Sequence, residues 1–169
     1  MQFIFRSGHR PRLSRDLLNG SRIQNAELIV IAGLKRAPCV NSVSAPFLQR
    51  RPDWLRCAAG FYTIWDLRPL REGSSWMTDE GVRKWSCLTA LELETVDLPP
   101  LLLARAGRDN ALLLEGTDAF VRRARERGVD LTVLDHPTGQ HGFDTRDDDE
   151  RSREIIRQAL EFFVRHLSL

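Results

Sequence analysis

Several things are missing from this 169-residue chain, and each absence closes a route. There is no CxxC pair. Cys39, Cys57 and Cys87 form an odd set at wide spacing, which excludes a disulfide framework and a thiolate zinc site and reads as free thiols in a reducing cytoplasm. No apolar run approaches the length of a bilayer span; the longest in the front half, LIVIAGL, is far too short. The opening MQFIFRSGHRPR lacks an apolar stretch followed by a small-residue cleavage site, so a cytoplasmic location is the default expectation. The arginines are scattered among acids instead of forming a basic stripe with aromatics, and the net charge is only +2. Nothing in that balance argues for nucleic acid or for a membrane. Repeats and low-complexity tracts are also absent.

What is present is ordinary globular material, 42% hydrophobic and 28% charged. The length suits one domain with a real core and is too short for two. The clearest organisation lies in the last seventy residues. LPPLLLARAG, residues 98–107, is a short apolar run ended by glycine, as expected of a strand buried on both faces of a parallel sheet. TDAFVRRARERG places Phe120, Val121 and Ala124 at helical spacing before Gly128. VDLTVLDHP alternates, with Val129, Leu131 and Val133 expected inward, and Pro137 closes the strand. SREIIRQALEFFVRHL repeats apolar residues at Ile155, Ile156, Ala159, Leu160, Phe163 and Leu167, an amphipathic helix with Ser152 or Asp149 as its cap. Strand, helix, strand, helix in this order implies right-handed crossovers and a parallel sheet.

The front is less regular. WLRCAAGFY, residues 54–62, reads as another buried strand. Residues 63–98 carry Trp65, Trp76 and Trp85 among polar residues without a strand signal, and are expected to be a helical insertion or cap. SRDLLNGSRIQNAEL reads as a helix, followed by an uncertain stretch. A very short strand is then expected in APCVN, ending just before Ser42 and bracketed by Pro38 and Pro46.

Chemistry in parallel α/β sheets collects in loops at the carboxyl ends of strands. Three such loops hold reactive side chains: Ser42, Asp109 and, in PTGQHGFD, His141. The types are complementary. A serine hydroxyl is a poor nucleophile until a neutral imidazole takes its proton, and the imidazole needs a carboxylate on its other nitrogen. The chain order Ser, Asp, His is that of an α/β-hydrolase. His136 is expected at the surface. The acidic run Asp147, Asp148, Asp149 has no cation-loop spacing and reads as a solvated lead-in to the last helix.

Over LPPLLLARAGRDN, LTVLDHPTGQHGFD and the final helix, the sequence resembles the α/β-hydrolases of the dienelactone hydrolase and esterase type. The likeness continues more weakly through PDWLRCAAGFYTIWDLRPL and back through RDLLNGSRIQNAEL. The resemblance implies that Asp109 of the GRD turn is the triad acid and His141 of HGF the base. Ser42 in VNSVS stands where a nucleophile elbow is expected, with Ser44 a poorer candidate. Neither elbow glycine is present, and Val40 and Val43 are bulky for the turn. The backbone N–H of Val43 is the expected oxyanion donor, and Trp65 and Trp76 are candidate substrate-pocket residues. No strands precede the nucleophile helix, so the expected fold is the C-terminal portion of the family's: one truncated α/β domain over 1–169, a mostly parallel sheet of about four strands flanked by helices. The implied function is hydrolysis of a small-molecule ester or lactone, with no metal and no organic cofactor. The alternative is a catalytically silent fragment with a structural or partner-binding role. An exposed sheet edge near the nucleophile strand is a candidate homodimer surface.

Overall fold

β-branched residues form the first strand and a leucine run the third, while side-chain caps start the helices at Asp79 and Ala111. The computed structural model describes residues 28–32, 41–53, 55–71, 77–93 and 97–167. Among these, β1 (Leu28–Ala32), β2 (Cys57–Phe61), β3 (Leu101–Ala106) and β4 (Leu131–His136) form one sheet in the order β1-β2-β3-β4, and every pairing is parallel. Helices α1 (Asn41–Arg50), α2 (Arg68–Arg71), α3 (Asp79–Trp85), α4 (Cys87–Glu92), α5 (Ala111–Glu126), α6 (Phe143–Arg146) and α7 (Glu150–Leu167) complete the described elements. None of the described helices is long and apolar enough to cross a membrane.

A parallel sheet has no wet face, and the sequence of β3 shows it. Leu101, Leu102 and Leu103 are consecutive, point to alternate sides, and are all fully buried. On one side Ala59, Leu102, Ala104 and Leu134 meet Ile155, Ala159, Phe162 and Phe163 of α7. On the other, Ala58, Leu101 and Leu103 meet a layer from α1, α4 and α5, centred on Phe120 and Leu91. Each such side chain is worth about 1.5–3 kcal/mol when fully buried, so the two-sided core is the main source of stability.

Local chemistry sets the helix ends. The Asn110 side chain accepts from the Leu112 N–H at 2.9 Å and starts α5. Gly128, at φ +64°, lets the chain leave that helix through the left-handed region. Of the two candidate caps for α7 it is Asp149 that acts, taking the Ser152 N–H at 2.7 Å. On α7 itself Phe162 is buried where Leu160 was expected, and Leu160 is exposed.

The front half departs from expectation. The strand expected in APCVN falls on residues 37–40, which lie outside the described residues; its last residue, Asn41, begins α1, and the first described strand is LIVIA, β1. Ile29, Val30 and Ile31 suit a pleated backbone. Residues 33–40 lie outside the described residues, as does the helix expected over 14–28 except for its last residue, Leu28, which begins β1. Residues 63–98 hold α2, α3 and α4, and α4 buries Cys87, Leu88, Ala90 and Leu91 within the helical layer on the sheet face.

Candidate active site

The site is built from two turns that extend the β3–β4 ladder past the end of the sheet. Beyond Ala106 and His136, the Gly107 N–H donates to the His136 carbonyl at 2.8 Å and the Arg108 N–H to the Gly139 carbonyl at 2.9 Å. Gly107 makes this approach possible, because a Cβ there would lie 2.3 Å from the Pro137 carbonyl oxygen. The two turns then deliver Asp109 and His141 to one place. His141 Nδ1 and Asp109 Oδ2 are 2.8 Å apart.

An ionised carboxylate only accepts, so in the neutral imidazole this contact selects the tautomer with its proton on Nδ1 and its lone pair on Nε2. Asp109 is held on its other oxygen by the Asn110 N–H at 2.7 Å, and its side chain is 7% exposed. His141 is 27% exposed, so one ring nitrogen is sheltered by the acid while the ring retains access to solvent. Gly142, at φ +87°, provides the turn immediately after the histidine, and the Arg146 guanidinium donates to the His141 carbonyl at 3.3 Å. This arrangement can take a proton from a neighbouring hydroxyl and return it.

Two other residues at this end were not anticipated in these positions. Tyr62, directly after β2, is buried and has a φ of +41°, a conformation costing a non-glycine residue of the order of 1–3 kcal/mol. Its hydroxyl donates to Asp144 Oδ1 at 2.6 Å, and its ring centroid is 4.6 Å from that of His141. Burial, and then the Asp144 carboxylate, push the phenol well above its ordinary range. Its position at the carboxyl end of a strand was the available signal. His136 is the correction. Expected at the surface, it is 1% exposed, with its ring against Phe143 and its Nε2 3.0 Å from Ser152 Oγ and 3.2 Å from Asp149 Oδ1. Its Nδ1 is buried without a partner among the described residues.

The remaining candidates are placed as follows. Ser42 and Val43 lie in the first turn of α1, on the segment that follows the carboxyl end of β1. The N–H groups of a helix's first turn have no intrahelical acceptor, and that of Val43 is among them. Trp65 is a packing residue: it is buried and stacked on Phe120 with ring centroids 4.3 Å apart, in the core layer opposite α7. Trp76 lies outside the described residues. His136, Asp147 and Asp149 bring donor atoms within 4.8 Å of one another, the spacing of a metal cluster. Their donors are already engaged, His136 as above and Asp147 by the backbone and side-chain amides of Gln140, so the group closes the loop that carries His141. A cavity of about 600 Å³ lies at the opposite end of the sheet, lined by Arg50, Arg51, Arg56 and Asp97 among others.

The chain has the α/β-hydrolase fold and spans only part of it. Acylaminoacyl peptidase from Pyrococcus horikoshii superposes with a TM-score of 0.64 at 19% identity, over 82% of this chain and 24% of the peptidase. Esterase 2 from Thermogutta terrifontis, in a form phosphoramylated by tabun, gives 0.56 at 18%, over 80% of this chain and 54% of the esterase. Esterase B from Lactobacillus rhamnosis gives 0.58 at 15%, over 82% and 53%. No protein-family description and no curated sequence matches the chain.

Proposed function

We propose that this chain carries the catalytic acid and base of an ester or lactone hydrolase of the esterase and dienelactone hydrolase type. One observation carries the reading: a buried carboxylate and a half-buried imidazole meet at 2.8 Å on adjacent turns at the carboxyl end of a parallel sheet. The fold's neighbours, a peptidase and two esterases, support it. In this mechanism Ser42 attacks the substrate carbonyl while His141 Nε2 takes its proton. His141 then protonates the departing alkoxide, and water repeats the sequence to release the acid. Asp109 fixes the imidazole tautomer and stabilises the transient cation. The Val43 N–H is one donor to the developing oxyanion. The substrate is a small ester or lactone.

A second reading is a catalytically silent member of the fold with a structural or partner-binding role. It is favoured by the placement of Ser42 ten residues past the end of β1, since an elbow sets its nucleophile directly after the strand. Hydrolysis of a p-nitrophenyl ester separates the two. Turnover abolished by both Ser42→Ala and His141→Ala supports the enzyme; equal turnover in wild type and both variants refutes it.

A further inference from the structure

We propose that Tyr62 is the positioning residue of the Asp109–His141 pair, locking the base through its ring and through the Tyr62–Asp144 hydrogen bond. The inference rests on the reading of His141 as base and deepens it. His141 stands on a loop, between the end of β4 and the start of α7, and one hydrogen bond to Asp109 leaves the imidazole free to pivot about that contact. Two further constraints come from Tyr62. Its ring lies against the imidazole at 4.6 Å, inclined by 53°. Its hydroxyl reaches Asp144, three residues beyond His141 in α6, at 2.6 Å.

The tyrosine is itself immobile. Its N–H donates to the Ala104 carbonyl at 2.8 Å, continuing the β2–β3 ladder, and its ring packs edge-on against Phe143 at 5.8 Å. The backbone is held in the left-handed region, an arrangement that persists only where surrounding contacts over-determine it. One rigid side chain at the end of β2 therefore touches the base and fastens the segment that follows it.

The chain has a single tyrosine and four histidines, which makes a spectroscopic test clean. The measurement is the ring ¹⁵N spectrum of histidine-labelled protein, with His141 assigned by its loss in His141→Gln, alongside kcat and KM on a p-nitrophenyl ester. Wild type is expected to show His141 as one tautomer with a slowly exchanging Nδ1–H. Tyr62→Phe keeps the ring and removes the hydroxyl; it should give a mixture of tautomers, faster exchange, and a fall of roughly 10–10² in kcat with KM unchanged. Asp144→Ala should reproduce that effect from the other side of the bond, and decides alone if Tyr62→Phe does not fold. Asp144→Asn, whose amide oxygen still accepts the phenol proton, should recover most of the loss. A wild-type His141 signature in the folded Tyr62→Phe or Asp144→Ala protein overturns the proposal, whatever the turnover. Absence of ester turnover in wild type, with the His141 signature intact, counts against the hydrolase reading alone.

Discussion

Gly107→Ala tests the packing that brings the two halves of the site together. The added Cβ would stand 2.3 Å from the Pro137 carbonyl oxygen, 2.7 Å from its carbonyl carbon and 2.8 Å from its Cα. A carbon rests against such atoms at about 3.5 Å, so the turns after β3 and β4 must part by roughly 1 Å. All three of these atoms are backbone, and no side chain can swing away. The same movement stretches the Gly107–His136 and Arg108–Gly139 hydrogen bonds, both below 3 Å in the native turns. Overpacking of this kind costs about 1–3 kcal/mol, and partial loss of two backbone hydrogen bonds adds about 0.5–1.5 kcal/mol for each. A destabilisation of about 2–6 kcal/mol is therefore expected, a drop in Tm of the order of 4–24 °C for a chain of this size. Urea unfolding followed by circular dichroism measures it, and the same variant should lose the slowly exchanging His141 proton. A change under about 0.5 kcal/mol with the proton retained would refute the close approach of the two turns.

Three further outcomes follow from the same geometry. Asp109→Asn should lower kcat by roughly 10²–10⁴ with little change in KM, because the amide no longer enforces the Nδ1–H tautomer; steady-state kinetics on an activated ester reads this directly. The protein should be alkali-labile: burial pushes the Cys57 thiol from 9.0 to about 12, and burial with Asp144 pushes the Tyr62 phenol upward. Both groups keep their protons longer when folded, so the stability they contribute is complete below about pH 9 and declines as pH rises from there through 12. Denaturant midpoints at pH 8 and pH 11 should show that decline, and Cys57→Ala with Tyr62→Phe should flatten it. Finally, we propose the outer edge of β1, which pairs only with β2 among the described residues, as a surface for self-association. Light scattering across a concentration series should show it, and a monodisperse monomer throughout would count against it.

The C-terminal half of this fold was legible because its signals agree. Asn110 and Asp149 cap their helices, Gly128 ends one, and leucines fill β3 without interruption. The GRD and HGF turns pointed to two residues that lie 2.8 Å apart. His136 was misplaced for a definite reason. Alternation in β4 put Val129, Leu131 and Val133 inside and left the other parity for solvent, but in a parallel sheet the second face is covered as well. Leu134 and His136 are accordingly buried beneath α7 and Phe143. Tyr62 escaped notice because a strand-end aromatic looks like any core residue until its hydroxyl is traced to Asp144. At the front, Leu28 closes the run expected to be a helix, yet the β-branched Ile29, Val30 and Ile31 that follow make LIVIA a strand.

The most direct test of the central claim is covalent. A fluorophosphonate reacts with a serine hydroxyl whose proton a general base removes, and is therefore the probe. Labelled protein would be digested and the modified residue located by mass spectrometry, in wild type, Asp109→Asn and His141→Ala. The account predicts one label, on Ser42, slowed in Asp109→Asn and lost in His141→Ala. A folded wild-type sample that takes no label, or one labelled at Ser44 or elsewhere without dependence on His141, would contradict it.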